Sequence, residues 1–434
     1  MQENFLHHIW ALQYFEKQDL RTTEGDPVDI FSPGNLNTDA GPDFSQARLR
    51  IGDIHWVGNV EIHVRSSAWA EHHHGEDPAY ESVILHVVWQ DDVPVRRKDT
   101  SRLATVELRG RVNEVLIRNY RQLITSSFSI PCRKHLPSVR SVVKTSMVSR
   151  ALAHRLEHKA EEVIATGKSC GMDWEDTTYQ WLAGAFGFKI NKEPFFQLAR
   201  AMPLRILQKH SDLTQIEALL FGQAGFLEGN RGDEYYLHLR KEYRLLAHKY
   251  GICEQRMQKS QWLFLRLRPS NFPTLRIGQF ASLIHHRRAL FSTLLHTTSA
   301  EELIRFFSVD VSPYWSTRFR FNSTASLRVH ALGRSSVDVI LVNAVVPLLS
   351  AYARYADLPE LMDRGLHILE HLPPEANGIT RRWSDLGMPP QNAMESQGQI
   401  ELFNTFCREK RCLQCAIGAA IVRPTEDEPG TAAP

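Results

Sequence analysis

Residues 41–64, GPDFSQARLRIGDIHWVGNVEIHV, carry the clearest structural pattern in the chain. Hydrophobic and polar residues alternate in both halves of this stretch, and Gly52-Asp53 lies between the halves. Because successive side chains of a strand point to opposite faces of its sheet, the pattern predicts two neighbouring strands joined by a turn. Glu61 and His63 then share one face, opposite the apolar face.

Outside this stretch, the chain divides into a sheet-forming part and a helix-forming part. An amphipathic helix is expected at the N-terminus, with further strands at Val28–Ser32 and Ser82–Trp89 and a short helix near residues 67–73. From about residue 112 onward, apolar residues recur at helical spacing. The sequence therefore predicts an α/β N-terminal domain with a mixed sheet, fused to a mainly α-helical C-terminal region. The predicted segments are residues 1–110 (α/β domain), 111–421 (helical region) and 422–434 (mobile polar tail).

Composition excludes several protein classes. Of the 434 residues, 43% are hydrophobic and 23% are charged, close to the globular average, so collagen-like and low-complexity chains are excluded. Lys and Arg number 51 against 49 Asp and Glu, which leaves a formal charge of +2. The total charge therefore indicates no partner, and an electrostatic argument must rest on local clusters.

No sequence feature indicates a membrane or a secreted protein. The most apolar stretch, Val337–Tyr352, contains Asp338 and Asn343 and is expected to be a buried helix that Pro347 kinks or ends. The N-terminus lacks the basic start and apolar core of a signal peptide. We therefore expect a cytoplasmic protein without membrane contact.

Asp43, Glu61 and His63 are the candidate catalytic residues. Two carboxylates on adjacent strands can bind Mg²⁺ or Mn²⁺ and leave coordination positions for water and a phosphate. An alternative explains the same residues without catalysis, because Gly-Pro-Asp-Phe is typical of a turn in which Asp accepts a backbone hydrogen bond. A glutamate on the polar face of a strand is also commonly solvated.

The order helix, strand, strand with Pro42-Asp43, strand with Glu61-Ile62-His63, helix, strand resembles the core of the PD-(D/E)xK nuclease superfamily over about 90 residues. The resemblance implies a restriction-endonuclease-like sheet in which Asp43 and Glu61 hold the metal. It also implies that His63 stands where these nucleases have the lysine that orients or activates water. A neutral imidazole can act as a base or bind a softer metal, but it lacks the fixed charge of lysine.

Over most of its length the chain is also similar to an uncharacterised bacterial family that is known only as a domain of unknown function. The shared motifs are NTDAGPDF, GNVEIH, DPAY followed by VILHVV, RPSNFPTLR and the C-terminal cysteines. This similarity implies no activity.

Other histidines accompany these residues. His86 lies inside an apolar run, where an imidazole needs a partner. The HHHGEDPAY segment, with His72, His73, His74 and Asp77, could bind a transition metal, but consecutive side chains are expected to point in different directions. A hydrogen-bonded His86 and a solvent-exposed histidine loop are therefore the expected arrangement.

Cys407, Cys412 and Cys415 have the spacing C-x4-C-x2-C, in which two thiolates of a Cys-x2-Cys turn can bind one metal. Cys132 is the expected fourth ligand. The set is similar to the iron–sulfur arrangement of Cas-four-like and AddB-like exonucleases, although the spacings differ. Zinc and an iron–sulfur cluster both remain open, and so does the alternative of reduced structural thiols.

The segment from Gln255 to Ala300 contains no Asp or Glu. Its arginines alternate with aromatic residues, which suits a phosphate backbone and stacked bases, and Arg266, Arg268 and Arg276 are the candidate nucleic-acid contacts. Alternatively, these arginines pair with acids elsewhere and the aromatic residues belong to the core.

Together these features predict a metal-dependent nuclease-like protein that acts on DNA or RNA. One alternative is a catalytically inactive protein with the same fold that binds nucleic acid. A second is a structural or assembly protein in which the histidines and cysteines only stabilise the fold.

Overall fold

The computed structural model describes residues 2–325 and 328–423, which form two compact units. Unit 1 comprises the chain up to Met147 and the segment from Phe403 onward, and unit 2 comprises Val148–Leu402. Unit 2 is therefore an insertion in the sequence of unit 1. This division differs from the predicted boundary at residue 110, and it assigns the C-terminal cysteines to the unit that contains the sheet. Most of the predicted mobile tail, from residue 424, lies outside the described residues.

Unit 1 contains a mixed sheet, and helices precede and follow its strands along the chain. Its elements are α1 (Glu3–Leu12), β1 (Val28–Ser32), β2 (Asn35–Leu36), β3 (Phe44–Ile51), β4 (Ile54–Arg65), α2 (Ala68–Glu71), β5 (Val83–Gln90), β6 (Thr105–Glu107), α3 (Glu114–Ile124) and α18 (Ala416–Val422), with α4 (Ser141–Ser169) crossing the unit boundary.

The sheet combines antiparallel and parallel pairs in the order β1-β3-β4-β5-β6, and β2 adds to β3. The predicted β3–β4 hairpin is present: Ile51 pairs with Ile54, and Gly52 has the positive φ (59°) that the tight turn requires. β4, β5 and β6 run parallel to one another. The connection from β4 to β5 contains α2, as a parallel pair requires a crossover. The predicted α/β fold with a mixed sheet is thus confirmed.

An irregularity at the start of β3 determines where Asp43 lies. The register between β3 and β4 shifts between Phe44 and Ala47, and Gln46 within this bulge has a φ of +58°. Bulges redirect the chain at sheet edges and next to active sites. Phe44 pairs with Val60, so Asp43 comes next to Glu61 on the neighbouring strand.

α1 buries one face, as its periodicity predicts. Phe5, Leu6, Ile9 and Trp10 are completely buried, whereas Leu12 at the end of the helix is exposed. Glu3 and His7, outside this apolar set, are four residues apart and therefore share a face of the helix.

Among its described residues, unit 2 is mainly helical, as predicted for this region, with one small hairpin. Its elements are α5 (Trp174–Phe186), α6 (Lys192–Ala201), α7 (Leu204–Leu207), α8 (Leu213–Gln223), α9 (Glu234–Tyr250), α10 (Pro273–His286), α11 (Leu290–His296), α12 (Ala300–Phe307), β7 (Arg318–Arg320), β8 (Ser323–Thr324), α13 (Arg334–Ile340), α14 (Val346–Ala356), α15 (Pro359–His371), α16 (Gly378–Ser384) and α17 (Ala393–Glu401).

The helical stretch Arg334–Ala356 is long and apolar enough to cross a membrane, but 67% of its most apolar window is buried inside the protein. This supports the interpretation of a core helix in a soluble globular protein, and a cytoplasmic location stays a prediction. The stretch widens to a π-helix at Leu341–Val345, just before Pro347 in the first turn of α14. Proline has no N–H to donate and clashes with the carbonyl four residues earlier, so it interrupts the regular helix as predicted.

Candidate functional site

Several elements of unit 1 bring acidic and imidazole side chains to one place beside the sheet. The acidic members come from α1, the start of β3 and β4, and the histidines come from α1, β4, β5 and the segment after α2. The group consists of Glu3, His7, Asp43, Glu61, His63, His72, His74 and His86.

Asp43 and Glu61 lie next to each other, and each carboxylate accepts a backbone N–H from the other's strand segment. The Asp43 N–H donates to Glu61 Oε2 (3.0 Å), and the Ile62 N–H donates to Asp43 Oδ2 (2.9 Å). The other oxygen of Glu61 lies 3.6 Å from His63 Nε2. Glu61 and His63 therefore share a face, as the alternating pattern predicts. Asp43 does accept a backbone hydrogen bond, but the donor is Ile62 on the neighbouring strand and not a residue of the Gly-Pro-Asp-Phe turn that the alternative explanation invokes.

The segment after α2 adds two imidazoles that point toward His63. One ring nitrogen from each of His63, His72 and His74 lies within 4.8 Å of the others, and His63 Nε2 is 3.2 Å from His72 Nδ1. His73 has a φ of +57°, in the left-handed region, and its side chain is exposed. The expectation that the three consecutive histidines diverge is therefore wrong for His72 and His74, because the turn at His73 brings its two neighbours back to the same side.

His86 on β5 supports His63 from the other side. His86 is fully buried and its Nε2 lies 2.9 Å from His63 Nδ1, so it has the partner that its apolar surroundings demand. When His63 Nδ1–H donates to His86, the Nε2 atom of His63 keeps a lone pair directed at His72 and Glu61. Trp69 packs against the rings of both His74 and His86.

Burial controls the protonation of these groups. Glu61 is only 4% exposed, and burial together with the nearby charge of Asp43 raises its pKa to about 8. Burial, reinforced by the surrounding imidazoles, lowers the pKa of His63 to about 2, and burial lowers that of His86 to about 3. The two imidazoles are therefore neutral at physiological pH and can offer nitrogen lone pairs. A bound cation would favour the charged form of Glu61.

The donor set fits a divalent transition metal. Neutral imidazoles with carboxylates suit Mn²⁺, Fe²⁺ or Zn²⁺, whereas Mg²⁺ prefers oxygen ligands alone. His7 Nε2 lies 3.2 Å from Asp43 Oδ2 and His74 Nε2 lies 3.2 Å from Glu61 Oε1, yet neither buried nitrogen makes a hydrogen bond. His63, His72 and His74, with the carboxylates of Glu61 and Asp43, are thus the residues that could hold such an ion.

Sequence reasoning missed two members of this group, Glu3 and His7, and it named His72 and His74 as possible metal ligands but expected them to point in different directions. The spacing of Glu3 and His7 on the polar face of an amphipathic helix is a signal that could have linked them to each other. Nothing in the sequence connects that helix face to β3.

The four predicted cysteine ligands all lie in unit 1. Cys132, Cys407, Cys412 and Cys415 are buried, and neighbouring thiols contribute to raising the pKa of Cys132 and of Cys407. The structure therefore places the upstream cysteine near the C-terminal three.

The three predicted nucleic-acid-binding arginines have different environments. Arg266 and Arg268 are exposed. Arg276 is buried, and its guanidinium donates to Gln279, Asn271 and Ser336. Its position disagrees with the predicted role, since a guanidinium that is held inside the protein does not reach a phosphate backbone. Phe280, also in the basic segment, belongs to the core of unit 2.

Comparison with known proteins gives one match. The model of the family described as "Protein of unknown function (DUF2851)" matches residues 3–378. No curated protein and no solved structure matches the chain.

Proposed function

Since the chain belongs to the DUF2851 family, whose description assigns no activity, we propose from the site itself that the protein is a metal-dependent hydrolase of nucleic-acid phosphodiesters. The observation that carries this proposal is the convergence of His63, His72 and His74 on Glu61, next to Asp43. Ligand atoms from a strand and a separate loop meet there at metal-binding spacing.

Each group has a distinct role in the proposed reaction. His63 is only 1% exposed and has neighbours at both ring nitrogens, so it acts as a ligand rather than as a base. A bound divalent ion would polarise the phosphoryl oxygen and lower the pKa of a coordinated water. The side chains of His7 and Asp43 are 18% and 22% exposed and lie 3.2 Å apart, so we assign this partly exposed pair to accept a proton from that water.

We infer the substrate class from the order of helices and strands in unit 1 and from exposed basic residues in unit 2. What supports this class in unit 1 is the element order α1, β1, β3, β4, α2, β5, with Asp43 immediately before β3 and Glu61 on β4. In unit 2, Arg266 and Arg268 are exposed, and Lys259 with Arg320 and Phe264 lines a cavity of about 480 Å³. Cations beside an aromatic ring suit a phosphate and a base.

The test is a cleavage assay with the full-length protein. We expect single- or double-stranded DNA or RNA to be cleaved in the presence of Mn²⁺, and less in Mg²⁺ because of the imidazole ligands. Asp43→Asn and Glu61→Gln should each reduce the rate by at least about 100-fold. Asp53→Asn, at the exposed β3–β4 turn, is the matched control and should keep the wild-type rate. Cleavage that survives both site substitutions would contradict the proposed activity.

One observation favours an inactive binding protein as the second candidate function. His63 occupies the place of the lysine in the nuclease pattern, and it is sealed from solvent. No lysine therefore supplies a positive charge at that position. A protein of this kind would bind nucleic acid through its basic surface and would show no cleavage with any divalent metal. The same assay, combined with a binding measurement, distinguishes the two functions.

A further inference from the structure

Four of the six cysteines form a group in unit 1 that is separate from the histidine site. Cys132, Cys407, Cys412 and Cys415 are each 7% exposed. The other two, Cys170 and Cys253, lie in unit 2, and both are more exposed than these four.

The thiols of the group influence one another. Burial, and then the proximity of Cys415 and Cys412, raises the pKa of Cys132 to about 12. Burial, and then Cys132, Cys415 and Cys412, raises the pKa of Cys407 further.

Contacts place the two parts of the group together: Lys410 Nζ donates to the Ile124 carbonyl at 2.7 Å, and the Ala416 N–H lies 3.2 Å from Met147 Sδ. The C-terminal segment thus lies against the chain on both sides of Cys132, which precedes it by roughly 280 residues.

The backbone around the C-terminal cysteines is closely packed. Cys412 begins a single helical turn, and the Cys415 N–H donates to the Cys412 carbonyl at 3.3 Å. A Cβ on Gly418 would lie 2.1 Å from that carbonyl oxygen, so only glycine lets α18 approach the turn this closely. A Cys-x2-Cys turn places two sulfurs where one metal can reach both.

Basic residues accompany the thiols. Arg408, Lys410 and Arg411 lie between Cys407 and Cys412, and the charge of Lys410 opposes the other effects by lowering the pKa of Cys412. Four thiolates around a metal leave a net negative charge, which the nearby charge of Lys410 reduces.

We infer that Cys132, Cys407, Cys412 and Cys415 bind a thiophilic metal centre, a single zinc ion or an iron–sulfur cluster, that fixes the C-terminal segment to unit 1. Cys132 precedes unit 2 in the sequence and Cys407 follows it, so the centre joins the chain on the two sides of the inserted unit. It shares no residue with the histidine site, and it does not depend on the proposed hydrolase activity.

Metal analysis of the full-length protein, purified without air, tests this inference. The protein should contain zinc, or iron with acid-labile sulfide and the visible absorption of a cluster. Cys412→Ser and Cys132→Ser should each lose that metal. Cys170→Ser and Cys253→Ser, the controls from outside the group, should retain it. His72→Ala should also retain it, which separates this centre from the histidine site.

Thiol reactivity provides a second measurement that needs no variant to fold. With an aromatic disulfide reagent, two of the six thiols of the native protein should react readily, and the other four should react only after a chelator removes the metal. If the four react at the same rate with and without chelator and no metal is found, they are buried thiols and the inference is wrong.

Discussion

Glu61 in unit 1 and Glu217 in unit 2 are both buried glutamates, and burial is the main reason that the pKa of each is raised to about 8. Their neighbours differ. Glu217 on α8 accepts a hydrogen bond from the hydroxyl of Tyr235, whose ring stacks on Tyr314 among core residues. Glu61 instead faces Asp43 and the imidazoles of His63 and His74.

This difference shows that a raised pKa reports burial and does not by itself report function. The Tyr235 hydroxyl completes a hydrogen bond to one oxygen of Glu217, and a single carboxylate supplies too few donor atoms to hold a metal ion. Several neutral imidazoles beside a carboxylate can present their acceptor atoms to one point in space, where a bound cation would satisfy them together. The neighbouring groups therefore distinguish the candidate metal site from a buried structural glutamate.

The largest expected effect comes from removing two imidazoles. The double substitution His72→Ala and His74→Ala should weaken Mn²⁺ or Zn²⁺ binding by on the order of 10³-fold, since even an outer-shell partner is commonly worth 10- to 100-fold. Isothermal titration calorimetry would measure this loss. The matched control is the double substitution His367→Ala and His371→Ala, in an exposed histidine group of unit 2. This control should bind Mn²⁺ or Zn²⁺ with the wild-type affinity. Equal loss in both variants would remove the distinction between the two groups.

Glu217→Gln should change stability rather than activity. Because the folded-state pKa of Glu217 is raised from 4.5 to about 8, the folded protein holds a proton that the unfolded chain releases. This stabilisation is fully present below pH 4.5 and is lost as the pH rises to about 8. The variant should lack that decline and gain free energy of unfolding on the order of 4 kcal/mol at pH 8.

Urea unfolding of both proteins from pH 5 to pH 8 checks this prediction. A decline with pH that persists unchanged in Glu217→Gln would show that another group causes it. Cleavage by the variant should equal that of the wild type, in contrast to Glu61→Gln.

The smallest expected effect on metal binding comes from substituting His86, which contacts His63 and positions its ring. His86→Phe should weaken metal binding by roughly 10- to 100-fold by releasing the orientation of the His63 ring. His86→Asn keeps a polar partner for His63 and should recover part of the affinity. Calorimetric titration with Mn²⁺ measures both. Equal losses in the two variants would indicate a packing role for His86 instead of a positioning role.

The sequence was sufficient for features that depend on local periodicity. Alternation along one strand placed Glu61 and His63 on the same face, and the apolar run around His86 demanded a partner that His63 supplies. The sequence was insufficient where long-range packing or a single backbone torsion determines the position of a side chain. The left-handed conformation of His73 directs its neighbours inward, and tertiary packing alone buries Arg276. Neither is visible in residue spacing.

The insertion of unit 2 has a consequence for synthesis on the ribosome. The strands of the sheet emerge first, but α18, which packs on α3 through contacts such as the Asn119–Ile421 hydrogen bond, follows only after all of unit 2. At ordinary elongation rates of about 5–20 residues per second, α3 waits roughly 15 to 60 s for α18. During this interval the uncovered face of α3 is available to chaperones, and unit 2 can complete its folding before unit 1.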